Sequence, residues 1–136
     1  MPGSPLKDPQ IFISNKARSL FDNMKRLPDF QQFENKDFLI LAALFGYYKN
    51  KRKPLKKDDK TQSGYTREKY LNDKDLNLIK AIAISEIEEL GVVEDVPKMF
   101  SIIEEYANGG IEPLKEFVYD NPADFTKKLA NELKIN

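Results

Sequence analysis

A chain of 136 residues is long enough for one hydrophobic core and too short for two, and this one contains neither cysteine nor histidine. Disulfides, thiolate zinc sites, cysteine nucleophiles and imidazole bases are thereby excluded, leaving carboxylate, lysine, tyrosine or serine chemistry for any catalytic role. Formal net charge is zero, yet residues 1–80 hold 17 Lys and Arg against 10 Asp and Glu while residues 81–136 hold 5 against 12, so either the basic part faces a partner or the two parts pair within the molecule.

Residues 1–10, with Pro2, Pro5 and Pro9, read as a disordered leader, leaving residues 11–136 as a single helical domain. IFIS, residues 11–14, is a short extended or helix-entry segment, and Ser14 or Asn15 can cap a following helix by accepting an orphan backbone N–H. Ala17, Leu20, Phe21, Met24 and Leu27 recur at helical spacing until Pro28 ends the helix. Phe30 and Phe33 fall in a turn. Asn35 or Asp37 then opens the most apolar helix, in which Phe38 through Phe45 leave almost no polar face, as expected of a central helix surrounded by others. Gly46 allows a cap or close packing, and Tyr47 and Tyr48 point polar tips toward the boundary. FLILAALFGYY is too short and too interrupted to span a bilayer, so the chain is expected to be soluble and cytoplasmic, with no membrane partner.

Composition then shifts to KNKRKPLKKDDKTQSG, residues 49–64, which reads as a basic loop with little to bury. YTREKYL, residues 65–71, fits a short strand or a helical turn equally well. Asn72 or Asp73 caps a helix of about 18 residues that runs to Leu90 and stops at Gly91, with Leu76, Ile79, Ala83, Ile87 and Leu90 along one stripe. A further helix starts near Asp95, takes Pro97 in its first turn, and carries Met99, Phe100, Ile103, Tyr106 and Ala107 until Gly109 and Gly110 end it. Ile111, Leu114, Phe117 and Val118 mark another, with Pro113 near its start where the missing N–H costs no bond. The last is opened by NPADF, Asn121 capping and Phe125, Leu129 and Leu133 forming its stripe. The expected fold is therefore all-α: a compact bundle of about six helices with one long basic loop.

Two blocks carry a resemblance. DFLILAALFGYYKNKRKPL, residues 37–55, and IIEEYANGGIEPLKEFV, residues 102–118, resemble the family of Dnd-system-associated protein 4. An apolar helix ending in G-Y, a basic R-K-P-L and the E-Y-A-N-G-G segment occur in the family's order, and the two blocks cover about a quarter of the chain. Such proteins accompany the DNA phosphorothioation machinery of bacteria and archaea, in which sulfur replaces a nonbridging phosphate oxygen and marks self DNA in antiviral defence. The resemblance implies a restriction-modification setting and larger Dnd-type modification or restriction proteins as partners; it brings no assigned catalytic residues.

Three sets of side chains are candidates for function. Lys49, Lys51, Arg52, Lys53, Lys56 and Lys57 could neutralise the phosphates of DNA, with Tyr47, Tyr48 and Tyr65 near enough to stack on bases, although Asp58 and Asp59 work against phosphate; the alternative is a solvated loop. Tyr106, Asn108, Gly109 and Gly110 could form a helix-to-helix corner whose exposed N–H groups bind an anion or a partner; the alternative is a tight turn whose glycines let helices pack closely. Glu86, Glu89, Glu104 and Glu105 could hold a metal, but they read better as solvated helix faces that pair with the basic half, so no metal and no cofactor is expected. The reading is a noncatalytic accessory protein that binds DNA backbone without base specificity, or alternatively an adaptor docking a larger defence or modification enzyme without DNA contact.

Overall fold

The computed structural model describes residues 8–120. Strand β1 (Gln10–Ile11), helices α1 (Asn15–Met24) and α2 (Asn35–Tyr48), strand β2 (Thr66–Arg67), and helices α3 (Asp73–Ile87) and α4 (Val96–Asp120) follow in that order. The fold is mainly helical, but the described residues hold four α-helices, not about six. The expected helix opened by Asn121 lies outside them, and the two expected on either side of Gly109 and Gly110 are one.

Local signals set most of the boundaries. Ser14 Oγ accepts the Ala17 N–H at 2.9 Å, capping α1, whose Ala17, Leu20, Phe21 and Met24 are buried. Leu27 lies past its end, before a 3₁₀ turn at Pro28–Phe30. At the start of α2 the Asp37 carboxylate accepts the Glu34 N–H at 2.8 Å. Asn72 and Asp75 exchange reciprocal side-chain bonds of 2.9 Å to cap α3. That helix stops at Ile87, short of Leu90, because Glu88 adopts a left-handed conformation with φ of 63°; Leu90–Glu94 then form a 3₁₀ turn. Gly91 is not the residue that turns the chain.

The main correction concerns α4. It runs 25 residues without a break through Ala107, Asn108, Gly109, Gly110 and Pro113. Each helical glycine costs about 1 kcal/mol relative to alanine, and Pro113 denies the Gly109 carbonyl its usual donor. Packing against α2 outweighs both, since Tyr106, Ala107, Gly109, Gly110, Ile111 and Leu114 are all buried. The absent side chains are what permit the contact: a Cβ on Gly110 would lie 1.9 Å from the Ala42 carbonyl oxygen. Helix α2 lies across α4 with Phe38, Leu39, Leu41, Ala42, Ala43 and Phe45 buried, but it is not the enclosed central helix expected: Ile40 and Leu44 are only partly buried and border an open hollow, and α4 is the element against which α1, α2, α3 and β1 all pack.

Residues 8–10, assigned to the leader on sequence, are instead tied into the fold. Gln10 pairs with Arg67 and Ile11 with Thr66 in an antiparallel ladder. Pro9 O accepts the Glu68 N–H at 2.9 Å. YTREKYL thus contains both of the forms considered, strand β2 and a 3₁₀ turn at Glu68–Tyr70. Phe21 and Phe38 stack with centroids 5.4 Å apart, and Tyr65 closes on Phe21 at 5.6 Å, joining α1, α2 and the ladder in one core.

Candidate nucleic-acid interface

The basic segment is a strap anchored at both ends. Helix α2 closes at Tyr48, Asn50 takes φ of 56°, and the Lys51 N–H bonds to Gly46 O at 2.7 Å, which directs the chain over α4. Here Arg52 turns inward. Its Nε donates to Glu105 Oε1 at 2.6 Å and one terminal nitrogen donates to Glu86 Oε2 at 2.5 Å. The Lys53 N–H bonds to Glu105 O at 3.0 Å, and Asn108 Nδ2 donates to Pro54 O at 3.0 Å and Lys53 O at 3.3 Å. At the far end Thr61 N–H bonds to Ile13 O at 2.9 Å, while Lys60 bridges to Ser14.

Residues 105–109 are therefore the seat of the strap. Glu105 holds the guanidinium and Asn108 holds two strap carbonyls. Gly109 gives the clearance, since a Cβ there would sit 2.0 Å from Lys51 O. Tyr106, Asn108, Gly109 and Gly110 do not make the expected corner with exposed N–H groups; they lie inside a continuous helix whose N–H groups point along its axis. The partner this segment grips is the chain's own strap.

Charges around Arg52 are mutually reinforcing. Burial works to lower the Arg52 pKa, but hydrogen bonds to Glu105 and Glu86 outweigh it and raise the value above the usual range. The Tyr106 hydroxyl donates to Glu86, and that bond, against desolvation and with help from Arg52, holds the Glu86 carboxyl below its ordinary value. Burial first, then the same bond, pushes the Tyr106 phenol up to about 12. Glu86 and Glu105 are thus structural counter-ions, as the opposite charges of the two halves allowed, and not a plain solvent face. Glu104 is different again: its Oε2 accepts the Phe12 N–H at 2.8 Å, and burial raises its pKa despite that bond. Among the described residues no group of three or more His, Cys, Asp or Glu is placed to hold a metal ion.

Of the six cations expected to meet phosphate, Arg52 is committed to this clamp. Lys49, Lys51, Lys53, Lys56 and Lys57 are exposed, and Lys51, Lys53, Lys56 and Lys57 form no ion pair among the described residues. Asp58 and Asp59 share a 3₁₀ turn with Lys57. Between the strap and the start of α1 lies a hollow of about 440 Å³ bordered by Lys16, Lys53, Lys56, Asp58, Asp59 and Asn108. The tyrosines divide as well. Of the three tyrosines expected near the strap, Tyr47 bonds to Ser85 at 2.6 Å and packs on Tyr106, Tyr65 is packed on Phe21, and Tyr48, 46% exposed, is the one that offers a ring for stacking. Lys16, which closes the hollow, was not among the residues singled out on sequence, because one lysine on a helix face has no local signature.

No helix among the described residues is long and apolar enough to cross a membrane. Compared with known proteins, residues 13–136 match the family described as DNA sulphur modification system-associated protein 4. No curated protein and no solved structure matches the chain.

Proposed function

Because the chain belongs to the DNA sulphur modification system-associated protein 4 family, we propose that it serves that system's modification and restriction functions as a noncatalytic accessory that holds DNA backbone with its basic strap. Lys51, Lys53, Lys56 and Lys57 provide the contacts, with Lys49 at the end of α2 beside them. The observation that carries this reading is the division of labour within the strap: Arg52 and the Asn108 bonds fix the backbone while four lysines stay exposed. A fixed loop loses less conformational freedom on binding than a free one, so its charges are available at lower entropic cost.

Four phosphate contacts correspond to a slope of roughly −3.6 in log K against log salt, or a loss on the order of a hundredfold for a fourfold rise in salt. Fluorescence anisotropy with a duplex at several salt concentrations measures it. Alanine at Lys51, Lys53, Lys56 and Lys57 should flatten the slope, and wild-type protein that fails to bind duplex at low salt would end this reading.

An adaptor role has its own observation. Phe33, Ile40, Leu41 and Leu44 line an open hollow of about 440 Å³ flanked by Asp37 and Asp75. In that reading the hollow docks a larger modification or restriction enzyme without DNA contact. Co-purification of such an enzyme that is lost in Ile40→Asp, with duplex binding absent throughout, would favour it.

A further inference from the structure

Helix α1 and the second half of α4 leave a groove of about 570 Å³ between them. Its floor is apolar, formed by Leu20, Leu27 and Ile111, and its rim is cationic, formed by Lys16, Arg26 and Lys115. Leu20 and Ile111 are buried core residues, so the floor is fixed by the packing of the two helices. Arg26 and Lys115 are exposed and form no ion pair among the described residues, while Lys16 meets Glu112 at 2.7 Å.

The groove adjoins the hollow beside the strap. Lys16 borders both this groove and the hollow that holds Lys53 and Lys56. The Glu112 carboxyl, held low first by its bond to Lys16 and then by the charges of Lys115 and Lys53, marks where cations from α1, α4 and the strap converge. Lys56, Lys53, Lys16, Lys115 and Arg26 therefore form a track that begins at the strap and ends over an apolar floor. Glu112, Asp58 and Asp59 are the acids along it.

An ordinary phosphodiester has no use for the apolar end, because both nonbridging oxygens are strongly hydrated and lose that hydration on leaving water. A diester with one nonbridging sulfur differs. It keeps a full negative charge, so cations still attract it, but sulfur is larger, more polarisable and a weaker hydrogen-bond acceptor than oxygen. Such a group is complementary to a site with apolar surface on one side and Lys or Arg on the other. We propose that the groove between α1 and α4 receives a phosphorothioate diester of the DNA backbone, with the sulfur against Leu20, Leu27 and Ile111 and the charge facing Lys115, Arg26 and Lys16. The assignment rests on the reading of the strap as a DNA contact only for the neighbouring, unmodified phosphates.

Binding of duplexes identical in sequence, with and without one phosphorothioate, tests the groove separately from the strap. Wild-type protein should prefer the modified duplex by roughly five- to tenfold, the scale of moving one weakly hydrated group onto apolar surface. Ser19 lines the groove and is exposed, so Ser19→Phe can fill it from the outside. That variant should bring the ratio to about one while leaving affinity for the unmodified duplex in place, and Lys115→Ala should lower the ratio without altering the fold. Alanines on the four strap lysines should weaken both duplexes together and leave the ratio unchanged. A ratio of one for wild-type protein overturns the proposal, as does a preference that survives in folded Ser19→Phe and Lys115→Ala. Loss of the ratio in Ser19→Phe combined with strap alanines of full affinity would sink the strap reading alone.

Discussion

Replacing Gly110 with alanine sets two opposed effects against each other. In an ordinary helix interior the change is worth about 1 kcal/mol in favour of the folded state, since alanine is the better helix former. At this position the new methyl would lie 1.9 Å from Ala42 O and 2.6 Å from Gly46 N, both backbone atoms, where ordinary contact begins near 3.4 Å. Neither neighbour is a flexible side-chain tip, so α2 and α4 must separate by more than an ångström along their principal contact. Overpacking of a rigid core costs about 1–3 kcal/mol, and parting the helices also loosens Tyr106, Ala107 and Leu114 from α2. We expect a net loss of about 2 kcal/mol, or a Tm lower by roughly 6–10 °C for a domain of this size. Urea denaturation followed by circular dichroism measures it, with Gly91→Ala as the control. Nothing lies within 4 Å of a Cβ at Gly91, so that variant should match or slightly exceed wild type. A Gly110→Ala protein as stable as wild type would refute the idea that backbone clearance, and not helix termination, explains the glycine.

Three further outcomes follow from the same contacts. A double-mutant cycle on Arg52→Ala and Glu105→Ala should return a coupling of about 1 kcal/mol, because the pair is well aligned but part-exposed; strictly additive losses would show that the clamp does not hold the strap. Glu88→Gly should raise stability by about 1 kcal/mol in the same urea assay, since Glu88 sits at φ of 63° where a side chain is strained and its own is exposed. Glu104, whose folded pKa is raised by burial, contributes linkage stability below the ordinary glutamate value of 4.5, and that stability is lost as pH rises through the raised value. Glu104→Gln keeps an acceptor for the Phe12 N–H without the charge, so it should be at least as stable as wild type at neutral pH and lose any advantage as pH falls below 4.5; a variant relatively weaker at neutral than at acid pH would contradict this.

Helix starts were readable because each rests on a side chain bonding within three residues: Ser14 with Ala17, Asn72 with Asp75, Asp37 with Glu34. Gly109, Gly110 and Pro113 misled for the opposite reason. Their local preference is to break a helix, and the contacts that override it come from α2 and the strap that follows it, some sixty residues earlier. One sequence signal did favour continuity: Met99, Ile103, Tyr106, Gly110, Leu114 and Phe117 keep a single helical phase across the glycines, which two helices meeting at a corner would have no reason to preserve. The inward turn of Arg52 was legible only as a charge imbalance between the two parts of the chain. Nothing local distinguishes Arg52 from its lysine neighbours, except that a planar guanidinium can meet two carboxylates at once and an ammonium cannot do so in a fixed geometry. The groove between α1 and α4 joins Arg26 to Lys115, and no pattern in either segment announces the other.

The three helical contacts at Gly46, Gly109 and Gly110 share one property: what each glycine faces is a peptide carbonyl, of Tyr106, Lys51 and Ala42 respectively. An oversized residue packed against a side chain can be rescued by trimming that neighbour, but a main-chain oxygen is the same atom in every amino acid. Second-site revertants of alanine at these positions should therefore be scarce, and those that arise should act by raising stability elsewhere, not by relieving the collision.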